Sequence, residues 1–193
     1  GEQFYDQISA LHKCVRSSNP DAALYWLCRM LDGGCDPSYL LRRLLRMSIE
    51  DIGLADPRAQ QMALAAWDTY ERLGSPEGEL AMAQLTLFMA SAAKSNAGYV
   101  AYKAAVADVR QAGTDEVPLH LRNAPTRLMK SLGYGADYQY DHDIEGGVAL
   151  DQRGFPEALG ERVYYQPVPR GMELQIKEKL DALRVARAQA RGE

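Results

Sequence analysis

Apolar residues recur with helical spacing through the first 113 residues, and the breaks between runs carry helix-start signals. Phe4, Ile8, Leu11 and Val15 fall on one stripe, as in a helix packed on one side. Asn19-Pro20, Asp36-Pro37, Asp56-Pro57 and Ser75-Pro76 each place a capping side chain before a proline, the pattern of an N-cap followed by the first helical position. Gly33, Gly53 and Gly74 then stand where three of these runs end. The pattern predicts helices over about 4–17, 20–32, 37–52, 57–73, 76–93 and 96–112. The last has Ser95 or Asn96 as its cap and Gly113 as its stop.

The faces of these helices differ. In the third, Leu41, Leu44, Leu45, Ile49 and Ile52 are expected to face a core, with Arg42, Arg43 and Arg46 largely on the other side. The second and fifth are apolar nearly all round, the fifth from Leu80 to Ala93. Such helices must be surrounded, inside the domain or by another subunit. The prolines at 20, 37, 57 and 76 are spaced 17, 20 and 19 apart, but no side-chain pattern repeats with them, so this is not a repeat array.

After Gly113 the pattern breaks. Pro118, Pro125, Gly133 and Gly135 cut the chain into short pieces. Asn123-Ala124-Pro125 can start a short helix that Gly133 ends. Tyr138/Tyr140 and Val163/Tyr164/Tyr165 can pair as a small β-hairpin. A final amphipathic helix is expected over 171–190, with Ile176, Leu180 and Leu183 on one side and Lys177, Lys179, Arg184, Arg187 and Arg191 mostly solvated. The expected organisation is all-α, with a helical domain over 1–113 and a less regular C-terminal segment over 114–193 packed on it.

Charge changes the picture little in bulk and more in detail. The net charge of −4 excludes a polycation that coats nucleic acid. Yet residues 136–161 carry −6 and residues 162–193 carry +3. Cys14, Cys28 and Cys35 form neither a CxxC nor an even set, so free thiols filling helix faces are expected. No apolar run reaches the roughly 20 residues that span a bilayer. The chain begins with Gly1 rather than Met, which suggests a trimmed start.

Motifs for chemistry are missing. No Gly-Lys pair exists, so there is no phosphate loop. Asp115-Glu116 lacks the apolar strand that precedes an ATPase acidic pair. Gly133-Tyr134-Gly135 reaches Tyr138 where a dinucleotide site needs glycine. His12 reads as a surface or boundary residue, and His120 as a structural hydrogen-bonder. His142, between Asp141 and Asp143 and near Asp137 and Glu145, could hold a cation, but a solvated acidic loop is the stronger reading. No catalytic residue, cofactor site or metal site is assigned. Arg42, Arg43 and Arg46 lie within one helical turn, and Arg122, Arg127 and Lys130 lie near the short helix. Either set could contact phosphates.

An ordered series of segments carries a family resemblance: Tyr5 to Lys13, Asp21 to Leu27, Glu50-Asp51-Ile52-Gly53-Leu54-Ala55-Asp56-Pro57, Lys94-Ser95-Asn96, Pro118 to Thr126, Leu132 to Gly135, Tyr164 to Pro167, and Gly171-Met172-Glu173. Together they resemble the C-terminal half of the RarA/MgsA family of replication-associated recombination AAA+ ATPases, relatives of the Werner helicase-interacting protein. Ala93 departs from the family pattern, which has proline there.

The resemblance implies a clamp-loader-like helical collar, a post-AAA+ oligomerisation domain that holds a homotetramer. The ATPase core, with its ATP and magnesium, would precede Gly1. The whole protein would act in replication-fork maintenance and recombination, in the cytoplasm and associated with the nucleoid. Its partners would be its own copies, its own AAA+ domain, single-strand-binding protein and forked or gapped DNA. Candidate interface residues are Tyr25, Trp26, Met30, Leu85, Phe88, Met89, Leu119 and Leu121. The alternative reading is a DNA-binding module using Arg42, Arg43, Arg46, Arg122, Arg127 and the basic tail.

Overall fold

A computed structural model describes residues 2–193, with side chains from Phe4 onward. Gly1, the expected trimmed start, lies outside the described residues. The chain divides into two compact units, Gly1–Ala101 with Tyr165–Lys177, and Tyr102–Tyr164 with Glu178–Glu193. Each takes in chain from both sides of the expected boundary at Gly113.

The first unit contains α1 (Glu2–Arg16), α2 (Pro20–Asp32), α3 (Pro37–Met47), α4 (Arg58–Leu73) and α5 (Glu79–Ser91). It also holds the start of α6 (Ala97–Ala112) and of α8 (Glu173–Arg191). The expected caps form at three helices. Asn19 Oδ1 accepts from the Ala22 amide at 3.1 Å, Asp36 Oδ1 from Ser38 at 3.0 Å, and Asp56 Oδ1 from Arg58 at 3.2 Å. Each such cap stabilises by about 1 kcal/mol. Ser95 is the cap of α6, its Oγ accepting from the Ala97 amide at 3.2 Å. The fifth helix starts later than its proline suggests, at Glu79, because the Ser75 hydroxyl donates to the Glu79 carboxylate instead of capping residue 77 or 78.

α2 packs between α1 and α5, α5 also packs on α4, and α4 on α3. Leu11, Leu27, Met30, Leu40, Leu41, Leu44, Met47, Met82, Leu85 and Met89 are fully buried there. Removing each from water contributes about 1.5–3 kcal/mol. One departure from the expected helices sets the polar centre of this unit. The third helix does not continue to residue 52; it widens at Ser48–Ile52 into a π-helical turn, followed by a 3-10 turn at Gly53–Ala55. The extra residue per turn shifts the register. Ile49, expected in the core, is 50% exposed, while Asp51 is buried.

The second unit contains the rest of α6 and α8, the short α7 (Arg127–Ser131) and 3-10 turns at Leu119–Leu121, Asp141–Asp143 and Glu145–Gly147. Helix α7 starts at Arg127 rather than at the Asn123-Ala124-Pro125 signal, because Thr126 Oγ1 accepts from the Met129 amide at 3.1 Å. The expected hairpin does not form, and there is no strand among the described residues. A side chain takes a backbone group of the expected first strand: the Gln139 amide donates to Gln152 Oε1 at 2.9 Å; in the loop beyond it the Ala149 amide donates to Asp141 Oδ1 at 2.7 Å. Arg191 is not solvated as expected. It donates to the Gln152 carbonyl at 2.8 Å and pairs with Glu161 at 3.4 Å.

Candidate functional site

The polar centre of the first unit is Asp51, 5% exposed, on the π-helical turn. π-helical turns are rare and concentrate at functional sites. The Asp51 carboxylate accepts from His12 Nε2 on one oxygen and from Arg16 Nε at 2.8 Å on the other. His12 and Arg16 are one turn apart on α1, so a single helix face supplies both partners. Burial alone would raise the Asp51 pKa. The bonds from His12 and Arg16 more than offset it, and the group sits below its ordinary value of 3.8.

The backbone of the same residue is also engaged. The Ser95 amide donates to the Asp51 carbonyl at 2.8 Å. Gly53 follows at φ +51, where an added Cβ would lie 3.0 Å from the Ser95 carbonyl oxygen. Next to Ser95, Lys94 Nζ donates to Ser18 Oγ at 3.1 Å, to the Ala90 carbonyl at 3.2 Å and to the Ala92 carbonyl. Burial lowers the Lys94 pKa, and the Asp51 charge partly restores it. Arg170 Nε donates to the Lys94 carbonyl at 2.7 Å.

The adjoining chain closes the same way. The Met172 amide donates to the Ala55 carbonyl at 2.8 Å. Gly171, at φ +57, passes so close that a Cβ would sit 2.2 Å from the Ala55 oxygen. Glu173 is fully buried; its Oε2 accepts from the Tyr165 hydroxyl at 2.7 Å, and its Oε1 has no partner.

His12, Glu50 and Asp51 bring possible metal-ligand atoms within 4.8 Å of one another. Guanidinium groups already bond both carboxylates, Arg16 on Asp51 and Arg46 Nε on Glu50 at 3.1 Å. A divalent cation there would meet two fixed positive charges, so the set acts as an ion-pair network. The Lys94 ammonium makes three hydrogen bonds, to one hydroxyl and two carbonyls, as a structural tie. The chemistry of the cluster is to hold α1, the π turn and the start of α6 together.

The sequence singled out other residues. Asp141, His142 and Asp143 do not converge as a metal set among the described residues, and Asp141 caps the Ala149 amide. His120 is a hydrogen-bonder, with Nε2 on the Arg153 carbonyl at 2.6 Å. Of the basic candidates, Arg42 and Arg127 are exposed and Arg43 is half-buried. Arg46 also lies over the Tyr99 ring at 5.5 Å. Arg122 is spent locally, donating to the Val117 carbonyl at 2.7 Å and lying over Tyr134 at 4.8 Å. Of the interface candidates, Met30, Leu85 and Met89 are buried within the unit and present no surface. Trp26 and Phe88 are half-buried, and Tyr25, Leu119 and Leu121 are exposed. The sequence motifs assigned no role to Asp51, Lys94 or Glu173; the signal was the glycine two residues after Asp51 and the glycine two residues before Glu173.

Among the described residues, no helix is long and apolar enough to cross a membrane. A family model described as MgsA AAA+ ATPase C terminal matches residues 17–184. The chain is 63% identical over 184 residues to the replication-associated recombination protein A of Coxiella burnetii, covering 95% of this chain and 42% of that protein. The Escherichia coli K12 protein of the same name is 53% identical over 180 residues, covering 93% of this chain and 40% of that one. The ATPase WRNIP1 of Dictyostelium discoideum is 43% identical over 166 residues, covering 86% of this chain and 19% of that one. The chain thus spans about four-tenths of the bacterial relatives' length. With a family model matching most of its residues and the Asp51, Lys94 and Glu173 segments all in place, the chain belongs to the C-terminal family of the RarA/MgsA AAA+ ATPases.

Proposed function

We propose that this chain is the homotetramerisation and interaction module of an AAA+ ATPase acting in replication-associated recombination and replication-fork maintenance. The observation that carries the reading is the outer face of α5. One side of that helix is the core, through Met82, Leu85 and Met89. The opposite side still presents Leu80, 74% exposed, and Leu87, two turns on and also exposed. Tyr25 on α2 is 56% exposed. Gln84 and Ser91 share that side with the two leucines, and leucines left uncovered on a helix whose other side is the core call for a partner; a second copy of the chain supplies a matching face by symmetry.

The names of the relatives support the wider role. The parent would bind ATP and magnesium in a preceding AAA+ domain and hydrolyse the nucleotide there. It would act on forked or gapped DNA with single-strand-binding protein, in the cytoplasm near the nucleoid. A collar held by apolar burial keeps ring subunits together whatever nucleotide the ATPase carries. The test is the pair Leu80→Asp and Leu87→Asp. These exposed positions tolerate the change in the monomer, so helicity by circular dichroism stays the same while the size-exclusion mass falls. An unchanged mass removes α5 from the interface.

A further inference from the structure

We propose that one flank of α1, with Arg43 of α3, forms a binding pocket for a phosphate group. Tyr5, Ile8, Ser9, His12, Lys13 and Arg16 follow one another at alternating spacings of three and one, which places them on one helix face. With Arg43 they line a cavity of about 250 Å³. No carboxylate is in the lining.

The charge in and behind the pocket is positive. Lys13, Arg16 and Arg43 are in the lining, and Asp51, bonded to Arg16, lies behind it. That carboxylate is already held by His12 and Arg16. Arg43 and Lys13 have no ion-pair partner among the described residues, and Arg43 Nε is buried without a hydrogen bond. Arg43 is half-buried and lines the cavity, so its guanidinium has donor capacity that no protein acceptor takes up. The planar fork of arginine beside the point charge of lysine suits phosphate oxygens. The Ser9 hydroxyl adds a neutral donor to the lining. Tyr5 stands at the rim, 74% exposed, with a ring on which a base could stack.

The phosphate can come from a nucleic-acid backbone or from a free phosphate. The two sources share the pocket and differ in what Tyr5 contributes. This site is independent of the α5 face, so assembly can fail its own test without touching it.

The experiment titrates the chain with inorganic phosphate by calorimetry, against chloride at matched ionic strength. A fluorescently labelled single-stranded 12-mer is then followed by anisotropy. The pocket predicts saturable phosphate binding that chloride does not reproduce. Lys13→Ala and Arg43→Gln each weaken it at least fivefold; Lys13 is exposed, so that variant keeps its fold. A 12-mer that binds at least tenfold tighter than phosphate, and loses that gain in Tyr5→Ala, assigns the site to nucleic acid. A 12-mer no tighter than phosphate assigns it to a free phosphate. No binding of either probe overturns the proposal, and so does binding that both Lys13→Ala and Arg43→Gln leave intact.

Discussion

Arg16 Nε donates to Asp51 Oδ1 at 2.8 Å, across 35 residues of sequence and onto a carboxylate that is almost fully buried. This bond, with that from His12, decides whether the π turn can keep an acid inside. Asp51→Ala is expected to cost about 2 kcal/mol, the worth of charge-assisted bonds lost from a buried site. Asp51→Asn, which keeps an acceptor, should cost less. Arg16→Ala should cost under about 1 kcal/mol, since the guanidinium is half exposed. Urea titrations of the three variants give the ranking; equal losses for Arg16→Ala and Asp51→Ala would contradict it.

The same carboxylate gives a pH signature. Its folded pKa lies below the ordinary 3.8, so its contribution is fully present above that value. It is lost as pH falls through the lower folded value. Midpoint denaturant concentrations of the parent should therefore drop below about pH 4, and Asp51→Asn should flatten that slope. A slope identical in both proteins would place the acid sensitivity elsewhere.

Two glycines allow the chain to close around this cluster. Gly53→Ala puts a side chain at φ +51 and 3.0 Å from the Ser95 oxygen, and Gly171→Ala puts one at φ +57 and 2.2 Å from the Ala55 oxygen. Each is expected to destabilise by about 1–3 kcal/mol in urea unfolding, Gly171→Ala the more, because its backbone clash is the closer. Gly34→Ala, at φ +84 in open space, serves as the control without a clash and should cost least.

Glu173 tests a different bond. Tyr165→Phe removes the hydroxyl that reaches Oε2 at 2.7 Å and leaves a buried carboxyl group with fewer partners. A loss of about 1–3 kcal/mol is expected in thermal or urea unfolding. A neutral result would mean that the bond adds nothing.

Ile49 and Ile52 read out the π turn. Ile52 is fully buried and Ile49 half exposed. Ile52→Ala should cost about 2–4 kcal/mol and Ile49→Ser within about 0.5 kcal/mol of zero. Similar costs at both would indicate an ordinary α-helix continuing to Gly53.

The helices of the first unit were legible because their caps are local. Asn19, Asp36 and Asp56 bond amides two or three residues away, so both partners stand side by side in the sequence. The Asp51 cluster was not legible, for two physical reasons. Its bonds join residues 35 and 39 apart, and a π turn breaks the period that would have placed Asp51. Alternating tyrosines suggest strands, whereas the Gln152 side chain takes the Gln139 backbone donor between Tyr138 and Tyr140. The buried Met30, Leu85 and Met89 show a related limit. A helix apolar all round announces that it is covered, but not which face its own subunit covers.

The most direct test of the assembly reading is the mass of the chain in solution, by sedimentation equilibrium in the absence of nucleotide. The account predicts a single species at about four times the 21.4 kDa of one chain, unchanged on dilution through the low micromolar range. A species at 21.4 kDa across tens of micromolar would contradict it.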